Sequence, residues 1–347
     1  MAEPGPRLDP IVRFAPAKIN LTLAVTGRRP DGYHALHSVM APLGLADRIS
    51  LGVASDGRDT LDVEGFDAGP AAANLVLRAI EETRAAVGRG PDLAPTPAGR
   101  RTLPLIAVRL EKRIPVAAGL GGGSSDAAAT IDGALAFWGA ALGDEDRLAV
   151  ALGLGSDVPF FLAGGPALVE GRGERVTPLP PIRGEPPGVL LVTPAVAVST
   201  AAVFAAYAAG IRGAGGGAAR LASEHLATEL RAGLDARALV LRAGVLASAN
   251  DLLAAAAAVT PGLLDFRRRL GRRLGRPVGQ SGSGPTCWVL YPSPAAAEEG
   301  AALVEAAVRD GALPAPGDGS PFVAATTFGG PARDPSGRIV HEHGGGV

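Results

Sequence analysis

One segment constrains this chain more than any other: Lys112-Arg113-Ile114-Pro115-Val116-Ala117-Ala118-Gly119-Leu120-Gly121-Gly122-Gly123-Ser124-Ser125-Asp126. Leu103–Leu110 ahead of it reads as a strand, and the alanine-rich run Ser124–Gly139 behind it reads as a helix. Glycine reaches positive φ without steric penalty and lets backbone N–H groups come close to an anion. A helix start adds unpaired N–H donors and a favourable dipole. Ser124 and Ser125 can cap that helix or offer hydroxyls to phosphate or Mg²⁺, Ser125 being the candidate metal ligand. Two readings stand side by side, a flexible turn before a capped helix and a phosphate cradle, and the strand–loop–helix setting favours the cradle. The G-x-x-x-x-G-K-[ST] pattern is absent. Gly119-Leu120-Gly121 opens like a dinucleotide fingerprint, but Ser124 stands where its third glycine would be.

Around this segment, Ile11–Phe14 reads as a strand, Ala15–Ala17 as a turn and Ile19–Val25 as a second strand. Gly27–Gly32 is a turn-rich loop, and Leu36–Leu45 and Asp47–Val53 are further strands. Early strands without long helices between them predict α+β layers rather than a doubly wound sheet. Helices are predicted over Asn74–Val87, Arg147–Gly153, Ala218–Ala232, Leu239–Ala258, Pro261–Leu270 and Ala295–Asp310. Strands are predicted at Gly188–Pro194, Thr286–Tyr291 and Pro321–Thr327, and Val158–Leu162 and Ala167–Val169 flank a glycine turn. The proline-rich Pro178–Pro187 marks the expected border between a domain over 1–185 and one over 186–328. The stretch 88–101 reads as an exposed loop, 211–217 as a flexible insert, and 329–347 as a disordered tail.

Composition narrows the function classes. The 347 residues are 47% apolar and 19% charged, enough for a full core, but only 4% aromatic, so alanine, valine and leucine must build it. A net charge of −1 argues against nucleic acid held by bulk electrostatics. The single cysteine, Cys287, excludes a disulfide or cysteine-based zinc site within one chain and reads as a small buried residue. Met1–Pro10 carries no apolar run of a secretory signal, and the apolar run near Leu252–Val259 is too short to span a bilayer, so the cytoplasm is the expected compartment and no membrane partner is expected. Of 33 basic residues only Lys18 and Lys112 are lysines. Coding bias accounts for the arginines; a lysine kept in that background suggests a place where a compact ammonium is wanted.

Four more segments carry chemistry. Lys18 and Asn20, two apart in a predicted strand, share one face, which is polar while Ile19 and Leu21 point inward. Asp31-Gly32 is a turn signal that presents Tyr33 and His34 together. That pair suits stacking on, and hydrogen bonding to, a heterocycle, or is simply a half-buried tyrosine beside a surface histidine. Asp157, in Gly155-Ser156-Asp157-Val158-Pro159-Phe160-Phe161, is placed to be a helix cap or a catalytic base. Gly279-Gln280-Ser281-Gly282-Ser283-Gly284-Pro285 is a second glycine loop, which either closes over a phosphate or makes a tight connection.

Taken in order, these segments resemble the GHMP kinase superfamily: PAKINL at 16–21, GRRPDGYH at 27–34, KRIPVAAGLGGGSSDAA at 112–128, GSDVPFF at 155–161 and GSGPT at 282–286. The resemblance covers about residues 11–290, and P-x-x-x-G-L-G-G-G-S-S is its most specific piece. PAKINL with DGYH points to the branch whose substrate carries a cytidine diphosphate. The resemblance implies an α+β fold with an N-terminal domain like ribosomal protein S5 domain 2, a ferredoxin-like C-terminal domain, and an active site between them. It implies a monomer or homodimer that, with ATP and Mg²⁺, phosphorylates the 2-hydroxyl of 4-diphosphocytidyl-2-C-methyl-D-erythritol in the non-mevalonate isoprenoid route, with no nucleic-acid partner. Lys18 and Asp157 match the catalytic pair, with Lys18 favouring the ionised form of Asp157 and polarising the hydroxyl oxygen. Asn20, Tyr33, His34 and Lys112 match substrate contacts, as does Asp157. Pro115, Val116, Ala117, Ala118, Gly119, Leu120, Gly121, Gly122, Gly123, Ser124 and Ser125 match the ATP loop. Phe204 matches an aromatic that sandwiches the cytosine against Tyr33. Val116-Ala117-Ala118 departs from the pattern, since many members carry more glycine or methionine there.

Overall fold

The computed structural model describes residues 10–89, 103–210 and 217–329. Most of the loop at 88–101, the insert at 211–217 and the tail from 329 lie outside the described residues, as do residues 1–9. In chain order the first elements are β1 (Ile11–Asn20), β2 (Ala24–Arg28), β3 (His34–Val53), β4 (Thr60–Gly65), α1 (Leu75–Gly88), β5 (Ile106–Lys112), α2 (Gly122–Trp138), α3 (Asp144–Leu154) and α4 (Val158–Ala163). Then come β6 (Ala167–Gly171), β7 (Arg175–Pro178), β8 (Gly188–Thr193), α5 (Thr200–Ala208), α6 (Ala218–Arg231), α7 (Ala236–Leu241), α8 (Ala243–Ser248) and α9 (Leu253–Val259). The last are α10 (Leu263–Leu274), β9 (Gly279–Gln280), β10 (Cys287–Tyr291), α11 (Pro294–Arg309) and β11 (Phe322–Thr327). None of the described helices is long and apolar enough to cross a membrane.

The chain forms two compact units, and their border is not a single cut near residue 185. Among the described residues, the first holds 10–15, 46–89, 103–116 and 121–162; the second holds 16–45, 117–120, 163–210 and 217–329. The chain changes unit within β1 and again within β3, while Pro178–Pro187 lies wholly in the second. Proline and glycine report turns, whereas a long strand carries the chain from one unit to the other with no compositional mark. The expected turn at Ala15–Ala17 is likewise strand, since the φ that proline fixes is compatible with extended backbone.

In the first unit, the end of β3 pairs antiparallel with β5, from Arg48 opposite Glu111 to Val53 opposite Ile106. The unforeseen β4 runs parallel to β5. Alternate apolar residues of these strands, Ile49, Leu51, Ile106, Val108 and Leu110, pack with Val76 and Ile80 of α1 and Ala134 of α2. Full burial of such aliphatic side chains stabilises by about 1.5–3 kcal/mol each. Asn74 caps α1, its side chain accepting from the Val76 N–H. Small residues of α1 and α2, among them Ala79, Ala127 and Ala128, meet Val150, Leu154 and Val158 of α3 and α4. Val158–Leu162 is thus helical.

In the second unit, the start of β3 pairs antiparallel with β2 and with β6, and β6 with β7. A separate antiparallel sheet runs in the order β11-β8-β10-β9. Its core joins Leu190, Val192 and Val289 to Phe266 and Leu270 of α10 and Val304 of α11. The predicted helix Leu239–Ala258 is broken into α7, α8 and α9. The break before α9 falls at Asn250, whose Nδ2 donates to the carbonyls of Gln280 at 3.2 Å and Gly282 at 2.9 Å, while its Oδ1 accepts from the Leu252 N–H. Those bonds need an asparagine outside helical register. The unforeseen α5 is capped by Ser199 and carries Phe204.

Candidate active site

In the second unit the polar side chains of β1 are pinned from both ends. Lys18 and Asn20 are buried, with only 4% and 2% of their surface accessible. Lys18 Nζ donates to Asn20 Oδ1 at 2.7 Å, and Asn20 Nδ2 donates to Ser38 Oγ of β3 at 2.8 Å. Ser38 Oγ in turn donates to the Thr22 carbonyl at 2.6 Å. The carboxamide of Asn20 therefore has one orientation, with its oxygen toward the ammonium.

The two glycine loops meet over this strand. Ser281 Oγ donates to the Gly119 carbonyl at 2.8 Å and accepts from the Asn20 N–H at 3.3 Å. Thr286 Oγ1 donates to the Ala118 carbonyl at 2.7 Å, and the Lys18 N–H donates to the Leu120 carbonyl at 2.9 Å. The approach requires glycine at 119: its φ is +80°, and a Cβ there would lie 2.4 Å from the Ser281 carbonyl oxygen. A side chain at Gly282 would reach within 3.1 Å of Asn20 Oδ1 and 3.6 Å of Lys18 Nζ, so the second loop covers the lysine. Ala117 adopts φ +54°, the left-handed region that costs a non-glycine residue about 1–2 kcal/mol. That strain falls where the sequence carries alanine in place of glycine.

Tyr33 is about half exposed, at 53%. His34 stacks on Phe204, ring centroids 5.2 Å apart and planes at 22°, and meets Tyr207 edge-on at 5.9 Å. Phe204 thus lies against His34. Thr26, Arg28, His34 and Tyr207 border a cavity of about 260 Å³.

In the first unit, α2 starts at Gly122, two residues earlier than predicted. Its N-cap is Gly121, left-handed at φ 71°, so of the two roles open to Ser124 and Ser125, capping the helix or offering hydroxyls to phosphate or Mg²⁺, the first is not taken. With glycine as its N-cap the helix has no capping side chain of its own, and such a start offers backbone N–H groups to an anion. Ser125 Oγ is buried without a hydrogen bond. A side chain at Gly155 would lie 3.8 Å from Ser124 Oγ, which sets the turn bearing Asp157 beside the helix start. Asp157 is half-buried, directly before α4.

Lys112 has a different setting from the substrate contact expected of it. It is buried, and its ammonium is held by Asp47 and by Asp126, the latter at 2.9 Å. Asp47 Oδ1 also accepts from the N–H groups of Arg113 at 2.5 Å and Ile114 at 2.8 Å, whereas Asp126 Oδ1 has no partner. Burial pushes the Asp126 carboxyl up to about 8, against the pull of Lys112. Burial also opposes the charge on Lys112, but Asp126 and Asp47 overcome it and hold the ammonium above its ordinary value. The two carboxyls differ in their surroundings, since Asp47 accepts from two backbone N–H groups as well as from Lys112. Gly122 leaves room for it, since a Cβ there would lie 2.8 Å from Lys112 Nζ. The cluster thereby ties the end of β5, β3 and the N-terminal part of α2 together.

Ser38, Ser281, Thr286 and Asn250 were not singled out by sequence reasoning. Only the second glycine loop gave a signal, and it did not say which residues would bond.

Residues 74–165 match the family described as GHMP kinases N terminal domain. The chain is 45% identical over 204 residues to the 4-diphosphocytidyl-2-C-methyl-D-erythritol kinase of Pelotomaculum thermopropionicum, a match spanning 58% of this chain and 65% of that one. It is 38% identical over 288 residues to the protein of that name from Ruegeria pomeroyi, covering 82% of this chain and 89% of the relative. For that from Methylorubrum extorquens strain PA1 the figures are 40% over 299 residues, 84% and 94%. Among solved structures, a 4-(cytidine 5'-diphospho)-2C-methyl-D-erythritol kinase superposes with a TM-score of 0.62 at 32% identity, covering 92% of this chain and all of that one. Methanococcus jannaschii mevalonate kinase, at 13% identity and TM-score 0.61, shares the fold.

Proposed function

Because this chain belongs to the 4-diphosphocytidyl-2-C-methyl-D-erythritol kinases of the GHMP kinase superfamily, we propose that it transfers the γ-phosphoryl group of ATP to the 2-hydroxyl of 4-diphosphocytidyl-2-C-methyl-D-erythritol, giving the 2-phosphate and ADP. That step belongs to the non-mevalonate route to isoprenoid precursors. The observation that carries the reading is the buried Lys18–Asn20 pair, with its amide fixed by Ser38 and the second glycine loop drawn over it. A buried ammonium at a glycine loop is suited to an anionic or developing-anionic oxygen.

Phosphoryl transfer asks mainly for positioning and charge stabilisation. The uncapped start of α2 and the backbone of Pro115–Ser125 hold the polyphosphate. Lys18 stabilises the charge that develops on the attacking oxygen. Asp157 accepts the hydroxyl proton, and Tyr33, His34 and Phe204 receive the cytosine. Among the described residues there is no cluster of three or more histidine, cysteine or carboxylate side chains that could hold a metal. Mg²⁺ arrives with the triphosphate, bound to its phosphate oxygens and to water.

A coupled ADP-release assay with the cytidine diphosphate substrate, beside CTP, mevalonate and homoserine, tests the reading; turnover of mevalonate or homoserine alone would sink it. Asp157→Asn should lower kcat at least about a hundredfold while leaving the fold intact, the low end for loss of a general base. Lys18→Arg should also lose most activity, because a planar guanidinium does not fit a buried site shaped to an ammonium.

A further inference from the structure

Arg172, at the tip of the β6–β7 hairpin, stacks its guanidinium over the ring of Tyr33, 4.7 Å from the centroid. Around that contact the structure closes a ring of bonds. The Arg172 N–H donates to Glu174 Oε2 at 2.5 Å, and Glu174 Oε1 accepts from Arg29 Nη1 at 2.8 Å. Arg29 Nε donates to Asp31 Oδ2 at 3.1 Å, and Asp31 Oδ1 accepts from the Tyr33 N–H at 3.1 Å. The Arg29 N–H donates to the Tyr33 carbonyl at 2.8 Å. Two hairpin tips far apart in sequence are thereby braced by an ion pair and by a cation on a π face. An exposed tyrosine at a loop tip is otherwise free to turn about its side-chain torsions, and a ring that must stack on a base gains from having that freedom removed beforehand.

We propose that Arg172 is a positioning residue for the nucleobase: it backs one face of Tyr33, and the Arg29–Glu174 ion pair holds the two tips together, so that the opposite face of the ring is presented for stacking. The inference rests on the reading that Tyr33 receives the cytosine. Arg172 touches neither the phosphates nor the reacting hydroxyl in this scheme, so its loss acts on binding of one substrate only.

The test combines steady-state kinetics with calorimetric titration of CDP and ADP on wild type, Arg172→Ala, Arg172→Lys and Glu174→Gln. Arg172→Ala should raise the KM for the cytidine diphosphate substrate and the Kd for CDP about fivefold, the worth of an exposed cation–π contact. Its kcat, its KM for ATP and its affinity for ADP should stay within about twofold of wild type. Arg172→Lys should fall between, since it keeps the charge but not the flat stacking surface. Glu174→Gln should shift CDP affinity in the same direction by a smaller factor. Unchanged CDP affinity in Arg172→Ala overturns the inference, as does equal weakening of CDP and ADP, which would mark a general structural defect. A wild-type protein that binds ADP but not CDP overturns both the inference and the reading beneath it.

Discussion

Asp47 and Asp126 face the same ammonium and are used differently. Asp47 has two backbone donors beside Lys112, whereas Asp126 meets only side chains, those of Lys112 and Asp47. Asp47→Asn removes the anion that balances a buried cation and should destabilise the protein by about 3–5 kcal/mol in chemical denaturation. Asp126→Asn replaces a neutral carboxyl by a neutral amide that can still accept from Lys112, so it should cost less than about 1.5 kcal/mol. The pH dependence separates the two further. The Asp126 carboxyl is raised in the folded protein from 3.8 to about 8, so the fold binds a proton that the unfolded chain releases. This contribution is full below the unfolded value and is lost as pH rises through about 8. Unfolding free energy should therefore fall between about pH 5 and about pH 9 in the wild type, and fall less in Asp126→Asn. Equal slopes would return the charge to Asp126.

At the scale of elements, the two glycine loops act as one device. The first is held at Ala118, Gly119 and Leu120 by bonds from Thr286, Ser281 and Lys18. Gly119→Ala sets a Cβ against the Ser281 carbonyl and demands a left-handed alanine, so it should cost about 1–3 kcal/mol. Because the loops must part, the KM for ATP should rise together with that loss; an alanine variant with wild-type melting and wild-type KM would disprove the close approach. This pairing was half legible in the sequence. Both loops stood out as glycine runs, and the strand before the first and the helix after it were read correctly in kind. Their contact was hidden because Ser281 and Gly119 are joined only through the fold. The break at Asn250 was hidden for the same reason: the helical periodicity of Leu239–Ala258 is real, and a bond to the second loop overrides it.

At the scale of the whole molecule, ligand binding and chemistry should separate. MgATP at about a hundred times its Kd adds about 2.7 kcal/mol to the folded state and should raise Tm by several degrees. Asp157→Asn should keep that shift while losing turnover, because its carboxylate is assigned to proton transfer. A variant that loses both would mean that Asp157 holds the nucleotide. By itself the sequence determined the class of fold and the family, and it named the glycine loop and the residues proposed for the chemistry, because these depend on local backbone freedom and on residue types in fixed spacing. Only the tertiary structure decided what each polar side chain meets. It committed the ammonium of Lys112 to two carboxylates from distant segments, it set Phe204 against His34, and it placed Arg172 on Tyr33. The border between the units followed the same rule, since a strand that crosses from one to the other looks in sequence like any other strand, and only packing reveals which core each half joins.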